Sequence, residues 1–285
     1  MKKLAKVAVA TILAASTACA FASCAPDNAI YVTTNAYFAP FEYFDSSMNI
    51  KGVDVDIMNM VGERLGRPVK FENTDFEYVL PNVAQGTKYD CGAAGITITP
   101  ARQEMVDFSN PYYTSVQYVI FKADNTSFTV NEATDGTACV FWSDLMDKAI
   151  GVQRDTTGHI YVDLEMTGDH GPEVAPEDAY YGALEGTSGT LTPYDDANLA
   201  VNAIGSNHID AVVVDELPAQ YICSRNSSYV CYALYYDVDT ATEEEYAIAV
   251  HKGQTELLNA INAVLADLGR QGVLDLVATH LGIDA

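Results

Sequence analysis

Two threonines and an arginine, Thr97, Thr99 and Arg102, follow the small-residue stretch 92–95 in a chain that has 15 Lys and Arg against 39 Asp and Glu. A guanidinium is a rigid fork of donors that meets a carboxylate in two parallel hydrogen bonds. Gly95 leaves room for a ligand to approach the backbone, and the threonine hydroxyls add polar groups beside it. Residue types in this spacing suit capture of an α-carboxylate. The competing role for Arg102 is a surface arginine opening a helix, with an ion pair of little consequence.

Strands and helices must position these groups. Residues 29–33 form an apolar, β-branched run that reads as a strand, and apolar positions 53, 57, 58, 60, 61 and 65 fall at helical spacing before Gly66. Asp54 and Asp56 read as the polar start of that helix. A strand at 69–71, a short helix at 78–85 and a strand at 90–94 continue the alternation, which argues for an α/β lobe with a largely parallel sheet. A strand at 116–122 leaves this lobe and a polar loop spans 124–137. A second α/β series follows, with strands at 149–153 and 209–214 and helices at 159–166 and 198–204. Residues 167–196, rich in Gly, Pro, Asp and Glu, read as a surface insertion. A strand at 245–250 and helices at 255–268 and 273–281, interrupted by Gly269 and Gly272, close the chain. No internal repeat or low-complexity tract is present.

Residues 1–23 carry Lys2, Lys3 and Lys6, an apolar run from Val7 to Ala15 and no acid, the pattern of a secretory signal peptide. The run is shorter than the roughly 20 residues a membrane span needs. Removing three lysines and no acid takes the formal charge from −24 to −27, which excludes nucleic acid as a partner, since phosphate binding needs a basic surface. The 262 residues that remain reach the size, about 250–300, at which one core stops growing, so two lobes are expected. Cys24 follows Phe21-Ala-Ser and is a lipidation candidate, with ordinary cleavage near Ala20-Phe-Ala22 as the alternative. Cys223 and Cys231 flank a polar loop and are the disulfide candidates among Cys91, Cys139, Cys223 and Cys231. The scattered histidines lack the spacing of a metal site, and no cofactor motif is found.

Thr99-Pro-Ala-Arg102 followed by Asp107-Phe-Ser-Asn-Pro-Tyr-Tyr113 resembles the extracellular solute-binding proteins of family 3, the polar amino-acid receptors of ABC importers. The segments 39–45, 52–56, 75–78, 148–152 and 210–215 are similar to that family in the same order, from about residue 29 to residue 282. The resemblance implies a two-lobed periplasmic-binding-protein fold of type II with two crossing hinge strands, near 118–123 and 243–249. It divides the chain into the signal at 1–23, lobe one at 24–120 and 246–285, and lobe two at 121–245.

Carried onto this sequence, the resemblance places a ligand carboxylate between Arg102, the backbone at Gly95 and Thr97, and Thr156 or Thr157. Asp215 would take the α-ammonium, and Phe38 and Phe76 would enclose the side chain. A zwitterion leaving water needs both charges compensated, and Arg102 and Asp215 supply the two ends. Capping of the helix that follows is the other role open to Asp215, and core packing the other role open to the two phenylalanines. Asn35 stands where receptors for cationic amino acids carry an acid, so a polar or neutral ligand is expected. Gln153, Arg154 and Asp155 replace a small-residue lead into the carboxylate loop; Asp155 and Arg154 are expected to address a polar side chain, and Gly158 to leave extra space. The function implied is the monomeric substrate-binding component of an ABC transporter, without cofactor or metal, exported to the periplasm or cell surface and held to the membrane by a lipid anchor only. It would deliver an amino acid to a permease by hinge closure. The alternatives are a ligand-sensing module for a separate signalling protein and an enzyme resembling cyclohexadienyl dehydratase, although no nucleophile and base are recognisable and no catalysis is expected.

Overall fold

Four of the five residues of Ile30–Thr34 (β1) are buried, as a run covered on both faces of a sheet requires. The computed structural model describes residues 28–171 and 174–282; the signal expected at 1–23 and the lipidation candidate Cys24 lie outside the described residues. Tyr37–Phe38 (β2), Glu42–Phe44 (β3) and Ile50–Lys51 (β4) form a small antiparallel sheet. Val53–Leu65 (α1) buries Val53, Ile57, Met58 and Val61 and ends at Gly66 with φ 63°, the left-handed cap that glycine takes without a Cβ penalty. Val69–Asn73 (β5), Phe76–Gln85 (α2) and Cys91–Gly92 (β6) complete the expected alternation. Pro100–Met105 (α3) and Asp107–Phe108 (β7) precede the long strand Tyr113–Lys122 (β8).

Beyond β8 the chain forms Asn131–Glu132 (β9), Ala138–Phe141 (β10), Ala149–Gln153 (β11), Thr157–Thr167 (α4), Thr190–Tyr194 (β12) and Ala197–Gly205 (α5). Ala211–Asp215 (β13), Glu216–Arg225 (α6), Tyr229–Asp237 (β14) and Thr240–Ala241 (β15) follow. Glu243–Tyr246 (β16), Ala249–Val250 (β17) and Thr255–Leu281 (α7) end the fold. Among the described residues, one large sheet has the order β5-β1-β6-β17-β7 and the other β12-β11-β13-β8-β14-β10-β9, with β15 beside β14 and β16 beside β8. These are the cores of two α/β lobes.

Several expectations change. Residues 118–122 pair with β13 and β14 inside the second sheet, so the side-by-side crossing lies earlier, where Tyr113–Val116 pair antiparallel with Glu243–Tyr246. The strand expected at 245–250 is broken into β16, on the crossing, and β17, in the first sheet. The 167–196 insertion yields β12, which pairs parallel with β11 and extends the sheet edge. Gly269 takes φ 59° inside α7 and marks the expected interruption, whereas Gly272 stays helical. Cys223 and Cys231 are free thiols on facing elements, α6 and β14, with the Cys223 thiol hydrogen-bonded to the Cys231 sulfur; that bond pushes the Cys223 pKa up and the Cys231 pKa down.

Candidate functional site

Arg102 owes its place to the residues immediately before it. Thr99 caps α3, its Oγ1 accepting from the Arg102 N–H at 3.2 Å, and Pro100 opens the first turn, the position at which a missing N–H costs nothing. The Arg102 side chain is 7% exposed. Its Nη1 donates to the Thr97 carbonyl at 2.9 Å, and its Nη2 reaches across to the Asp155 carbonyl of the second lobe, also at 2.9 Å. The Phe76 ring lies 5.6 Å from the guanidinium carbon, a cation–π contact that holds the fork in place. Burial lowers the Arg102 pKa, while the charges of Glu244 and Asp215 oppose that shift. The group remains a cation at any physiological pH.

Gly95 has φ 54°, and a Cβ there would stand 2.7 Å from Phe38 Cε1, so only glycine lets that ring seal the turn. Its N–H is not open to a ligand: it donates to Asp54 Oδ2 at 3.0 Å. On the opposite lobe, Thr156 caps α4 and accepts from the His159 N–H, which leaves the Thr157 N–H in the first turn, where no helical acceptor exists. Asp215 precedes α6 without a side-chain cap bond. Its carboxylate accepts from Gln117 Nε2 at 2.6 Å and from the Tyr246 hydroxyl. Capping of α6 by its side chain is thereby excluded.

One narrow cavity is lined by Asn35, Phe38, Phe76, Ala94, Gly95, Thr97, Arg102, Gln153, Thr156, Thr157 and Asp215. Nine of the ten expected ligand-binding residues therefore meet in it. Asp155 does not: its side chain is exposed at φ 59°, 3.8 Å from His159 Nδ1, and it serves the site through its carbonyl. Arg154 is not among the lining residues and lies 3.9 Å from Glu77 and from Asp195. The space expected at Gly158 is filled, since a Cβ there would meet Gln117 Oε1 at 2.8 Å.

Sequence reasoning missed the acids behind the cavity. Glu244 Oε2 accepts from Thr97 Oγ1 at 2.7 Å and Thr157 Oγ1 at 2.6 Å, and its Oε1 from Gln117 Nε2 at 2.5 Å. Desolvation and the neighbouring Glu244 push the Asp215 pKa well above the usual carboxylate value. Asp54, expected as part of the polar start of α1, is fully buried; it accepts from Tyr112 at 2.5 Å, and burial raises its pKa to about 6. Glu42 is fully buried beside it, and desolvation, followed by the charge of Asp54 and a hydrogen bond to it, raises the Glu42 pKa well above the usual carboxylate value. The signal for Glu244 lay in strand alternation: it shares a face with Tyr246, while Glu243 and Glu245 point to solvent.

Comparison with known proteins extends over nearly the whole chain. It is 26% identical over 285 residues to a probable histidine-binding protein of Neisseria gonorrhoeae, covering 97% of this chain and 94% of that one. The arginine-bound form of truncated ArgBP from T. maritima superposes with a TM-score of 0.68 at 28% identity, covering 85% of this chain and 97% of that one. An ancestral arginine-binding protein bound to glutamine gives a TM-score of 0.69 at 27% identity, covering 90% and 98%. The family model for bacterial extracellular solute-binding proteins, family 3, matches residues 30–281, from β1 to the end of α7, and the chain belongs to that family.

Proposed function

We propose that this protein is the substrate-binding component of an ABC importer, closing over one free amino acid with a polar or neutral side chain and presenting it to a membrane permease. One observation carries the proposal: Arg102 from the first lobe, the one buried Lys or Arg among the described residues, and Asp215 from the second, a buried carboxyl, line the same cavity. A zwitterion entering it finds a partner for each charge without water, which is the condition for binding a desolvated ion pair. Ligand contacts that span both lobes favour the closed form. The relatives named for histidine and arginine support an amino acid as the ligand class. Asn35 and Gln153, both neutral amides, support a side chain without charge, and the ancestral arginine-binding protein bound to glutamine is a scaffold of the same kind holding such a side chain. The apolar leader and Cys24 support export and a lipid tether. The role is binding without chemical change.

A thermal-shift screen against the twenty amino acids tests this, because a ligand that binds only the native state raises the melting point. A polar or neutral amino acid is expected to give the largest rise. No rise with any of them rejects the amino-acid class; a largest rise with arginine or lysine rejects the side-chain class.

A further inference from the structure

Glu244 stands where both lobes and both crossing strands meet. It lies on β16 opposite Ser115 of β8 and is 5% exposed. The hydroxyls it holds come from opposite sides of the cleft: Thr97 belongs to the first lobe and Thr157 opens α4 of the second, with their oxygens 3.3 Å apart. A threonine hydroxyl has one proton and two lone pairs. With both protons committed to the Glu244 carboxylate, the oxygens turn only lone pairs toward the cavity they line. Gln117 spends its Nε2 protons on Glu244 and Asp215, and its side chain reaches them through the space that Gly158 leaves open. The floor of the cavity is thus made of acceptors.

We propose that Glu244 is a positioning residue for ligand capture: it fixes the hydroxyl protons of Thr97 and Thr157, one from each lobe, so that the closed cleft offers only acceptors to the ligand's ammonium group. The inference rests on amino-acid binding as proposed above and adds the residue that sets the polarity of the ammonium subsite. An ammonium with three donors uses such a floor fully, whereas a hydroxyl in its place has a single proton to give. Because the two threonines come from different lobes, Glu244 holds both hydroxyls only when the cleft is shut. The carboxylate therefore also favours the closed form.

Wild type and Glu244→Gln are titrated by calorimetry with the L-amino acid that gives the largest thermal shift and with the α-hydroxy acid bearing the same side chain. A glutamine at 244 offers an N–H to one threonine oxygen and frees a hydroxyl proton to face the ligand. The amino acid is expected to lose at least about tenfold in affinity and the hydroxy acid less than about threefold. A merely structural role would weaken both equally; equal loss, or no loss, overturns the proposal. Should Glu244→Gln lack a cooperative melt, Thr157→Val decides by the same ratio, with equal loss again overturning it. A wild type that binds none of the twenty amino acids removes amino-acid binding and this inference together, whereas a binding wild type with an unchanged ratio in the variant removes the role of Glu244 alone.

Discussion

Gln153 Nε2 donates to Asn35 Oδ1 at 2.9 Å across the cleft, and Asn35 Nδ2 donates in turn to the Thr74 carbonyl at 2.8 Å. This chain of amides fixes the orientation of Asn35 without any charge. It is the physical reason to expect an uncharged ligand side chain, since an unpaired ammonium or guanidinium here would be desolvated against neutral groups.

Asn35→Asp supplies the missing anion. The affinity ratio of L-arginine to L-glutamine should rise at least about tenfold, measured by calorimetry. The unliganded protein should lose about 1–3 kcal/mol in stability, because a carboxylate oxygen replaces the donor that faced Thr74. An unchanged ratio would remove Asn35 from side-chain recognition.

Arg102→Lys keeps the charge and loses the fork. A lysine ammonium is a point donor that cannot hold the Thr97 and Asp155 carbonyls and still offer two parallel bonds to a carboxylate. Ligand affinity should fall at least about tenfold and should not recover at low salt, since the loss is of geometry. Retained affinity in a calorimetric titration would show that the carboxylate does not meet this guanidinium.

Much of this was legible in the sequence for local reasons. Thr97, Thr99, Arg102 and Gly95 are close neighbours in the chain, so cap, turn and fork could be read from one segment. Helix α1 was legible because its apolar spacing and the Gly66 stop agree. Glu244 was hidden because Glu243-Glu244-Glu245 looks like a solvated acidic run, and only the pairing of β16 with β8 turns its middle member inward. The groups that donate to Asp54 from Gly95 and Tyr112 are at least 41 residues away, beyond the reach of any local pattern. Strand β12 was missed because Pro193 and the surrounding acids argue against a strand, yet an edge position tolerates proline.

Gly158→Ala tests how tightly Gln117 is seated. The new Cβ would lie 2.8 Å from Gln117 Oε1 and 3.3 Å from the Val213 carbonyl. Backbone cannot yield, so the glutamine must move away from Asp215 and Glu244. A stability loss of about 1–3 kcal/mol is expected from the crowding, together with weaker ligand binding. Full retention of both in denaturant unfolding and calorimetry would mean that the amide has another low-energy position.

Cys223 and Cys231 should close into a disulfide on exposure to oxidised glutathione, giving an intact mass lower by two hydrogens. The thiols already face each other between α6 and β14, whereas Cys91 and Cys139 are buried. Closure should stabilise the fold by about 2.5 kcal/mol in the chain-entropy account for so short a loop, and Cys223→Ser should abolish both the mass change and the gain. A mixed glutathione adduct in place of the internal bond would show that α6 and β14 hold the sulfurs out of bonding geometry.

Glu42 offers a pH test with a definite sign. In the unfolded chain it ionises near 4.5, and in the fold desolvation and the charge of Asp54 hold its pKa well above that value. As pH rises above 4.5 the native state keeps a proton that the unfolded chain releases, so stability falls with rising pH until the folded pKa is passed. Asp54, raised from 3.8 to about 6, adds a slope of the same sign over that interval. Glu42→Gln removes the first contribution, and its new amide can donate to the Asp54 carboxylate. The variant should match wild type below pH 4.5 and exceed it at pH 8 by roughly 1–3 kcal/mol. Scanning calorimetry at the two pH values checks this; a gap that stays constant across the range would mean that Glu42 titrates in the fold as it does in the unfolded chain.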